Sequence, residues 1–392
     1  MDLTTERGRL LKAFEQRFGT GGPVRAAIAP GRSNLIGEHT DYNGGLVLPI
    51  AVDRHVAVLF RASRKPGAHF SVYSDVLDAA DEFDAKRIKP AADPRQHWAN
   101  YVRGTAQALL NRGIRLKGGD LFISADLPRG AGLSSSAALE TATALALLAL
   151  AGRKMAAQPL AFACQEAEHR FAGVRCGIMD QTVVGRAKAG HALLLDCHSI
   201  TVTHVPIALK GYSFAVFDTG VRHKLAGSEY NKRRAECEHA AALMRKQSLR
   251  GVSLEDLLRT GNRLTANEHK RVRHVLSENL RVAQFAAALT RGDVAELGAL
   301  LLASHHSLAE DYCVSCRELD GLVAQLQARS AHDRACAGAR MTGGGFGGAV
   351  VALLKTEAFP EYAKAMARHA KGGSLLLAPS GGAQVAGLRD GG

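Results

Sequence analysis

The stretch PRGAGLSSSAALE, residues 128–140, decides how this chain folds. An apolar run at 121–125 comes before it and reads as a strand ending near Leu127. The Ala- and Leu-rich run 134–150 follows, with no internal Gly or Pro, and reads as a buried helix. The glycines between them let backbone approach a ligand closely. A helix start offers unpaired N–H groups and partial positive charge, which together make an anion site. Ser134, Ser135 and Ser136 add hydroxyls for a phosphate or a magnesium ion. No lysine precedes the serines, so this is not a Walker loop. The same pattern also fits a Ser-capped core helix after a flexible turn.

Working outward, short apolar runs at 24–29, 56–60 and 70–73 predict strands. Residues 97–110 carry helical apolar spacing, and Pro159 opens a helix reaching about residue 171. Strands return at 191–195 and 214–217. Residues 226–330 read as helical, broken at Gly261 and Gly292. A glycine-rich loop, a strand at 349–354, a helix near 359–369 and a last strand near 374–377 complete the chain. The expected class is α/β of the α+β type. At 392 residues two domains are expected. We place the boundary near Lys210-Gly211, giving domains 1–210 and 211–392.

Composition excludes several classes. Hydrophobic content of 46% with 22% charged residues is that of a globular protein. The start, MDLTTERGRLLKAFEQRF, reads as an amphipathic helix and lacks the layout of a secretion signal. The most apolar run, 137–151, is too short to span a membrane and contains Glu140. A soluble, cytoplasmic monomer is expected, with no membrane partner. Seven scattered cysteines suit reduced thiols. Cys313 and Cys316 form one CxxC with His305 and His306 upstream; zinc is conceivable, but two helix cysteines are the plainer reading. The net charge is +13. Aromatics are only 5%, and no basic run lies beside stacking residues, so no nucleic-acid partner is expected. The basic excess between Arg222 and Arg281 alternates with glutamates and reads as a solvated helix face.

Three further stretches carry chemistry. GRSNLIGEHTDYNGG, residues 31–45, packs Glu38, His39 and Asp41 near Arg32. RMTGGGFGGAVV, residues 340–351, formally contains GxGxxG, but its glycines lead into a strand, which is wrong for a dinucleotide fold. It reads as backbone that turns sharply or lies against something. In EAEHRFAGVRCGIMDQ, residues 166–181, Glu168 ends a helix and Asp180 sits on a short glycine-flanked loop, as a base or a cap. A phosphate-cradling helix start, separated carboxylates and one arginine form the parts list for phosphoryl transfer to a hydroxyl.

These motifs resemble the galactokinase family. GRSNLIGEHTDYNGG is similar to its signature, GLSSSA to the ATP motif of the wider galacto-, homoserine, mevalonate and phosphomevalonate (GHMP) kinases, and MTGGGFGG to their third motif. CGIMDQ and VRHKLAGSEYNKRR are also similar to galactokinase stretches, so the resemblance spans nearly the whole chain. It implies a two-domain GHMP-kinase-like fold with mixed sheets and an active site in the interdomain cleft. It implies ATP and Mg2+ as cofactors and galactose as the small-molecule partner, phosphorylated at C1 in the first committed step of galactose catabolism. Glu38, His39, Asp41, Gly177 and Tyr230 would bind the sugar. Asp180 would face the C1 hydroxyl with Arg32 beside it. Gly130, Gly132, Leu133, Ser134, Ser135 and Ser136 would wrap the phosphates, with Ser74 and Trp98 bordering adenine. Ser136 and Glu168 would hold magnesium. Ser33 departs from the apolar residue usual in the signature, which tilts packing near Arg32. A kinase of another sugar C1 hydroxyl, such as N-acetylgalactosamine, and a non-catalytic sugar-binding regulator are the alternatives. The intact Ser134-Ser135-Ser136-Ala137 weighs against the second.

Overall fold

The structure, a computed structural model, describes residues 3–65, 67–128, 132–222 and 226–388. The first half runs α1 (Leu3–Phe18), β1 (Arg25–Asn34), β2 (Leu46–Val47), β3 (Pro49–Ala62), β4 (His69–Ser74), β5 (Ala79–Asp84) and α2 (Ala99–Asn111). It continues through β6 (Gly119–Ala125), α3 (Ser135–Ala151), α4 (Ala157–Ala167), α5 (Met179–Arg186), β7 (His191–Asp196), β8 (Thr201–Pro206) and β9 (Tyr212–Arg222). Helices α6 (Ala226–Leu243), α7 (Leu254–Thr260), α8 (Ala266–Arg291), α9 (Val294–Glu310) and α10 (Arg317–Asp333) follow. Then come β10 (Cys336–Thr342), β11 (Gly347–Lys355), α11 (Phe359–Met366), β12 (Gly373–Leu376) and β13 (Gln384–Gly387).

The strands form mixed sheets. A six-stranded sheet has the order β13-β1-β3-β6-β4-β5, a four-stranded sheet β10-β11-β9-β12, and a small one β2-β7-β8. β4 runs parallel to β6, while β1, β3 and β6 pair antiparallel. The first sheet carries α3 on one face: its Ala and Leu side chains are buried around most of the helix, as expected for apolar residues on every side. The main core is continuous from Val58 and Leu147 through Phe214, Phe285 and Val351, so apolar packing joins the two halves.

The capping chemistry of α8 explains its length. Thr265 and Glu268 form a capping box at its start, and Gly292 ends it in the left-handed region at φ 70°. A side chain at Gly292 would meet Ala208 O at 2.5 Å, so the expected glycine break is also a close contact.

Several expectations need correction. Asp180 lies in the first turn of α5, not on a loop; the eight-residue MDQTVVGR is too short for a clear periodicity, and Gly185 obscured it. The helix opened by Pro159 is regular only to Ala167, and Glu168–Ala172 form a single π-helical turn. Cys313 lies in the turn between α9 and α10, and Cys316 is the N-cap of α10, so neither is a helix cysteine. All seven cysteines are free thiols. The basic run is only partly a solvated face: Arg233 and Arg271 are buried. Their guanidinium groups hold the carbonyls of Tyr312, Cys313 and Asp311. Five strands escaped the sequence reading: β2, β5, β8, β10 and β13. β10 is CAGARMT, small residues with weak strand preference, ordered by pairing with β11. β13 brings the C-terminal segment back to pair with β1. Among the described residues no helix is long and apolar enough to cross a membrane.

Candidate active site

The site begins at an irregularity in β1. The register with β3 shifts between Pro30 and Arg32. Such bulges re-aim side chains. Gly31 has no room for a side chain, since a Cβ would meet Leu127 at 2.4 Å and Leu133 O at 2.8 Å. That contact lets the Arg32 N–H donate to Leu133 O at 3.0 Å, locking β1 to the turn before α3. The buried Arg32 guanidinium then donates from Nε and Nη2 to the two carboxylate oxygens of Asp180, each at 2.6 Å. Its Nη1 donates to Gly132 O at 2.5 Å. The bidentate fork fixes the Asp180 plane as well as its position. Ser134 also donates its hydroxyl to Asp180. Ser134 sits at φ 51° and makes no side-chain cap, so the serine run is not spent on capping α3.

The signature loop supplies a cleft of about 260 Å³ lined by Arg32, Glu38, His39, Asp41, Asp180 and Tyr230. Helix α8 holds this loop from behind: Glu278 accepts from Gly37 N, Asn279 from Leu46 N, and His274 Nε2 meets Glu38 O. Glu38 is a junction. Its Oε1 receives Thr342 Oγ1 at 3.0 Å, Gly343 N at 2.7 Å and Arg340 Nη2 at 3.3 Å. Among the described residues its Oε2 receives only Asn34 Nδ2, at 3.0 Å, and so keeps capacity for another donor. The glycine-rich third motif therefore does lie against something: Gly343 faces Gly132, and Gly344 faces the Tyr230 ring.

His39 is held at φ 61°, unusual for a residue with a side chain. Its Nδ1 contacts Tyr42 OH at 2.8 Å, and Tyr42 OH contacts Tyr312 OH at 2.8 Å. Burial, then His274, lower the His39 pKa from 6.5 to about 3, so the ring is neutral. Burial, then Asp180, raise the Asp41 carboxyl from 3.8 to about 7. Gly177 sits so close that a Cβ would lie 1.9 Å from Asp41 Oδ2.

A second cleft, about 210 Å³, adjoins the start of α3. Ser74, Val76, Trp98, Tyr101, Ser135 and Ser136 line it, so Ser74 and Trp98 do come together with the serine run. Leu133 is buried in the core, so only its backbone is offered to a ligand. Gly130 lies outside the described residues. Glu168 is buried, with a carboxyl raised from 4.5 to about 7 by burial, then by Asp180; hydrogen bonds from Cys176, Ser136 and Gln181 oppose the shift. Among the described residues no group of three or more His, Cys, Asp or Glu side chains could hold a metal. Magnesium bound against nucleotide phosphates needs only one or two protein oxygens, and a hydroxyl beside a buried carboxyl suits that hard ion. His305 faces Asp320 instead of the two cysteines.

Sequence reasoning missed Tyr42, Tyr312, Cys176, Met179 and Gln181. Tyr42 lies inside the signature, but its role comes from contacts with His39 and Tyr312 that only the fold creates. Tyr312 adjoins Cys313 and carries no local pattern that marks it, since its partners Tyr42 and Cys237 are distant in sequence.

With this geometry in place, comparison with known proteins is decisive. The galactokinase galactose-binding signature matches residues 12–62, the GHMP kinase N-terminal domain 100–187, and the GHMP kinase C-terminal domain 285–371. A galactokinase of Chloroflexus aggregans is 46% identical over 366 residues, covering 92% of this chain and 91% of that one. The human galactokinase is 42% identical over 365 residues, covering 91% and 90%. The crystal structure of Lactococcus lactis galactokinase complexed with galactose superposes with a TM-score of 0.90 at 32% identity, covering 96% of this chain and 99% of that one. A Leishmania major mevalonate kinase, at 18% identity and TM-score 0.63, shares the fold. Signature, both kinase domains and 46% identity over 92% of the chain show that it belongs to the galactokinase family of the GHMP kinases, which are ATP-dependent.

Proposed function

We propose that this chain transfers the γ-phosphoryl group of ATP to the C1 hydroxyl of galactose, giving α-galactose 1-phosphate and ADP. The observation that carries the reading is the Arg32–Asp180 pair. Asp180 opens on the sugar cleft, while the same guanidinium grips Gly132 O of the phosphate loop. One rigid unit thus spans acceptor and donor. Asp180 takes or directs the C1 proton, and Arg32 shields charge as the phosphoryl group moves. Glu38, through Oε2, and Asp41, His39 and Tyr230 pair with the sugar hydroxyls, and Gly177 leaves room beside Asp41.

Gly130, Gly132, the Leu133 backbone, Ser135 and Ser136 wrap the phosphates at the start of α3. Ser134 serves Asp180 in the described arrangement. Ser74 and Trp98 border adenine. Ser136 and Glu168 hold magnesium, which when bound offsets charge on the transferring phosphate. The two working units are 1–210 and 211–392, with β13 returning to the first sheet. Seven free thiols suit a reducing compartment such as cytoplasm.

The test is ADP release from MgATP across galactose, glucose and N-acetylgalactosamine. We expect galactose to be preferred over glucose, since a mismatched hydroxyl leaves buried polar groups unpaired at about 1–3 kcal/mol each. Ser136→Ala and Glu168→Ala are expected to impair MgATP use while galactose binding persists. Equal efficiency on glucose, or higher efficiency on N-acetylgalactosamine, would overturn the galactose assignment. Absence of turnover on all three would overturn the kinase reading.

A further inference from the structure

One buried carboxyl is unused by this reading. Glu140 is 0% exposed in the second turn of α3, one helical turn beyond Ser136. Its Oε2 accepts from Gln181 Nε2 at 3.1 Å, and among the described residues its Oε1 has no hydrogen-bond partner. Burying a carboxyl without a cation costs folding free energy, so its place in an Ala/Leu helix calls for a reason other than packing.

The same Gln181 nitrogen donates to Glu168 Oε2 at 2.8 Å. An amide NH2 has two protons, and here each goes to a different carboxyl. Turning the amide over would set its oxygen against Glu168 Oε2; Glu140, whose carboxyl burial and then Glu168 push well above the usual range, holds the amide in the orientation in which Nε2 donates to both. Cys176 Sγ also donates to Glu168 Oε2, at 3.3 Å. Oε2 thus has two donors, and Oε1 is the oxygen left to turn toward Ser136. The clamp links α3, α5 and the π-helical turn, the three elements that bring Ser136, Asp180 and Glu168 together.

We propose that Gln181, oriented by Glu140, is a positioning residue that holds the Glu168 carboxylate in the rotamer that meets a divalent cation beside Ser136. This rests on the magnesium reading above. Outer partners of metal ligands act by fixing ligand geometry before the ion arrives, and their loss typically costs about 10–100-fold in metal affinity or activity.

The experiment measures Mn2+ binding in the presence of a non-hydrolysable ATP analogue by electron paramagnetic resonance. Galactose affinity without nucleotide, metal-free ADP affinity and thermal unfolding are measured in parallel, and kcat and KM against Mg2+. Gln181→Met, similar in shape but without the amide, is expected to weaken Mn2+ binding about 10–100-fold. Its half-saturating Mg2+ is expected to rise with it, while galactose and metal-free ADP affinities stay within about twofold. Glu140→Gln, which keeps size but lets the amide turn, is expected to show a smaller loss of the same kind and stands in if Gln181→Met does not fold. Glu168→Gln is the control. If it abolishes Mn2+ binding while folded Gln181→Met and Glu140→Gln bind normally, the clamp is overturned and the metal reading survives. Equal weakening of metal-free ADP would also overturn the clamp. If Glu168→Gln binds Mn2+ normally, the metal reading fails and the clamp with it.

Discussion

Arg340 reaches from β10 to Glu38 of the signature loop, Nη2 to Oε1 at 3.3 Å, with the arginine 0% exposed. Its Nε and Nη2 also donate to Leu35 O and Asn34 O, at 2.7 and 2.6 Å. The residue immediately before the third motif is therefore the internal support of the first. Removing one partner of a buried charge pair leaves the other uncompensated, at about 3–5 kcal/mol. Arg340→Met is expected to lower the unfolding free energy by that amount in urea titration, and Arg340→Lys, which cannot fork to two carbonyls, by somewhat less. A loss under about 1 kcal/mol for Arg340→Met would remove the support assigned to it.

Ser33, the departure within the signature, is fully buried in β1, and its hydroxyl has no partner among the described residues. A buried hydroxyl without a partner costs about 1–3 kcal/mol. Ser33→Ala is expected to leave stability unchanged or raise it by about 1 kcal/mol, read by urea denaturation, because the small cavity offsets part of the gain. A clear loss of stability would mean that the hydroxyl has a partner in solution.

His39 predicts part of the acid limb of stability. Its folded pKa, about 3, lies below the ordinary 6.5. Between those values the unfolded chain binds the proton and the folded chain does not, so stability falls as pH drops through the window. The contribution is fully present above 6.5 and lost progressively toward 3. His305, lowered to about 4, acts in the same direction. His39→Gln is expected to flatten the stability–pH curve between pH 6.5 and 3 relative to the parent. An unchanged slope there would show that His39 is not buried and neutral in the folded state.

The elements the sequence revealed were those whose local chemistry agrees with their burial. α3 is apolar on every side and α8 stops at Gly292, so both were legible, whereas the Thr265–Glu268 capping box that starts α8 went unread. β10 was not, because CAGARMT acquires its strand conformation from β11 on one side and α9 on the other, where Gly298 and Gly338 allow close approach. In the site, Arg32, Asp41, Asp180 and Tyr230 were named from motifs and share one cleft. Glu140 and Gln181 were not, because their meaning lies in a contact across 41 residues of chain. Glu38 was named for the sugar alone, since nothing local shows that Arg340 and Thr342 converge on it from about 300 residues away.

The central claim is that Asp180, gripped by Arg32, acts on the acceptor hydroxyl. Asn keeps the shape of Asp180 but leaves the buried Arg32 without its counter-charge, so thermal unfolding of Asp180→Asn is measured first to establish that it folds. General-base assistance is worth about 10²–10⁴ in rate. The direct measurement is kcat of Asp180→Asn with galactose and MgATP, alongside calorimetric affinity for the ATP analogue. The account predicts a loss of kcat of at least about 100-fold with nucleotide affinity nearly unchanged. The double variant Arg32→Ala with Asp180→Asn should lose less than the product of the single losses, because the two act as one unit. Near-normal kcat in a folded Asp180→Asn protein would contradict the account.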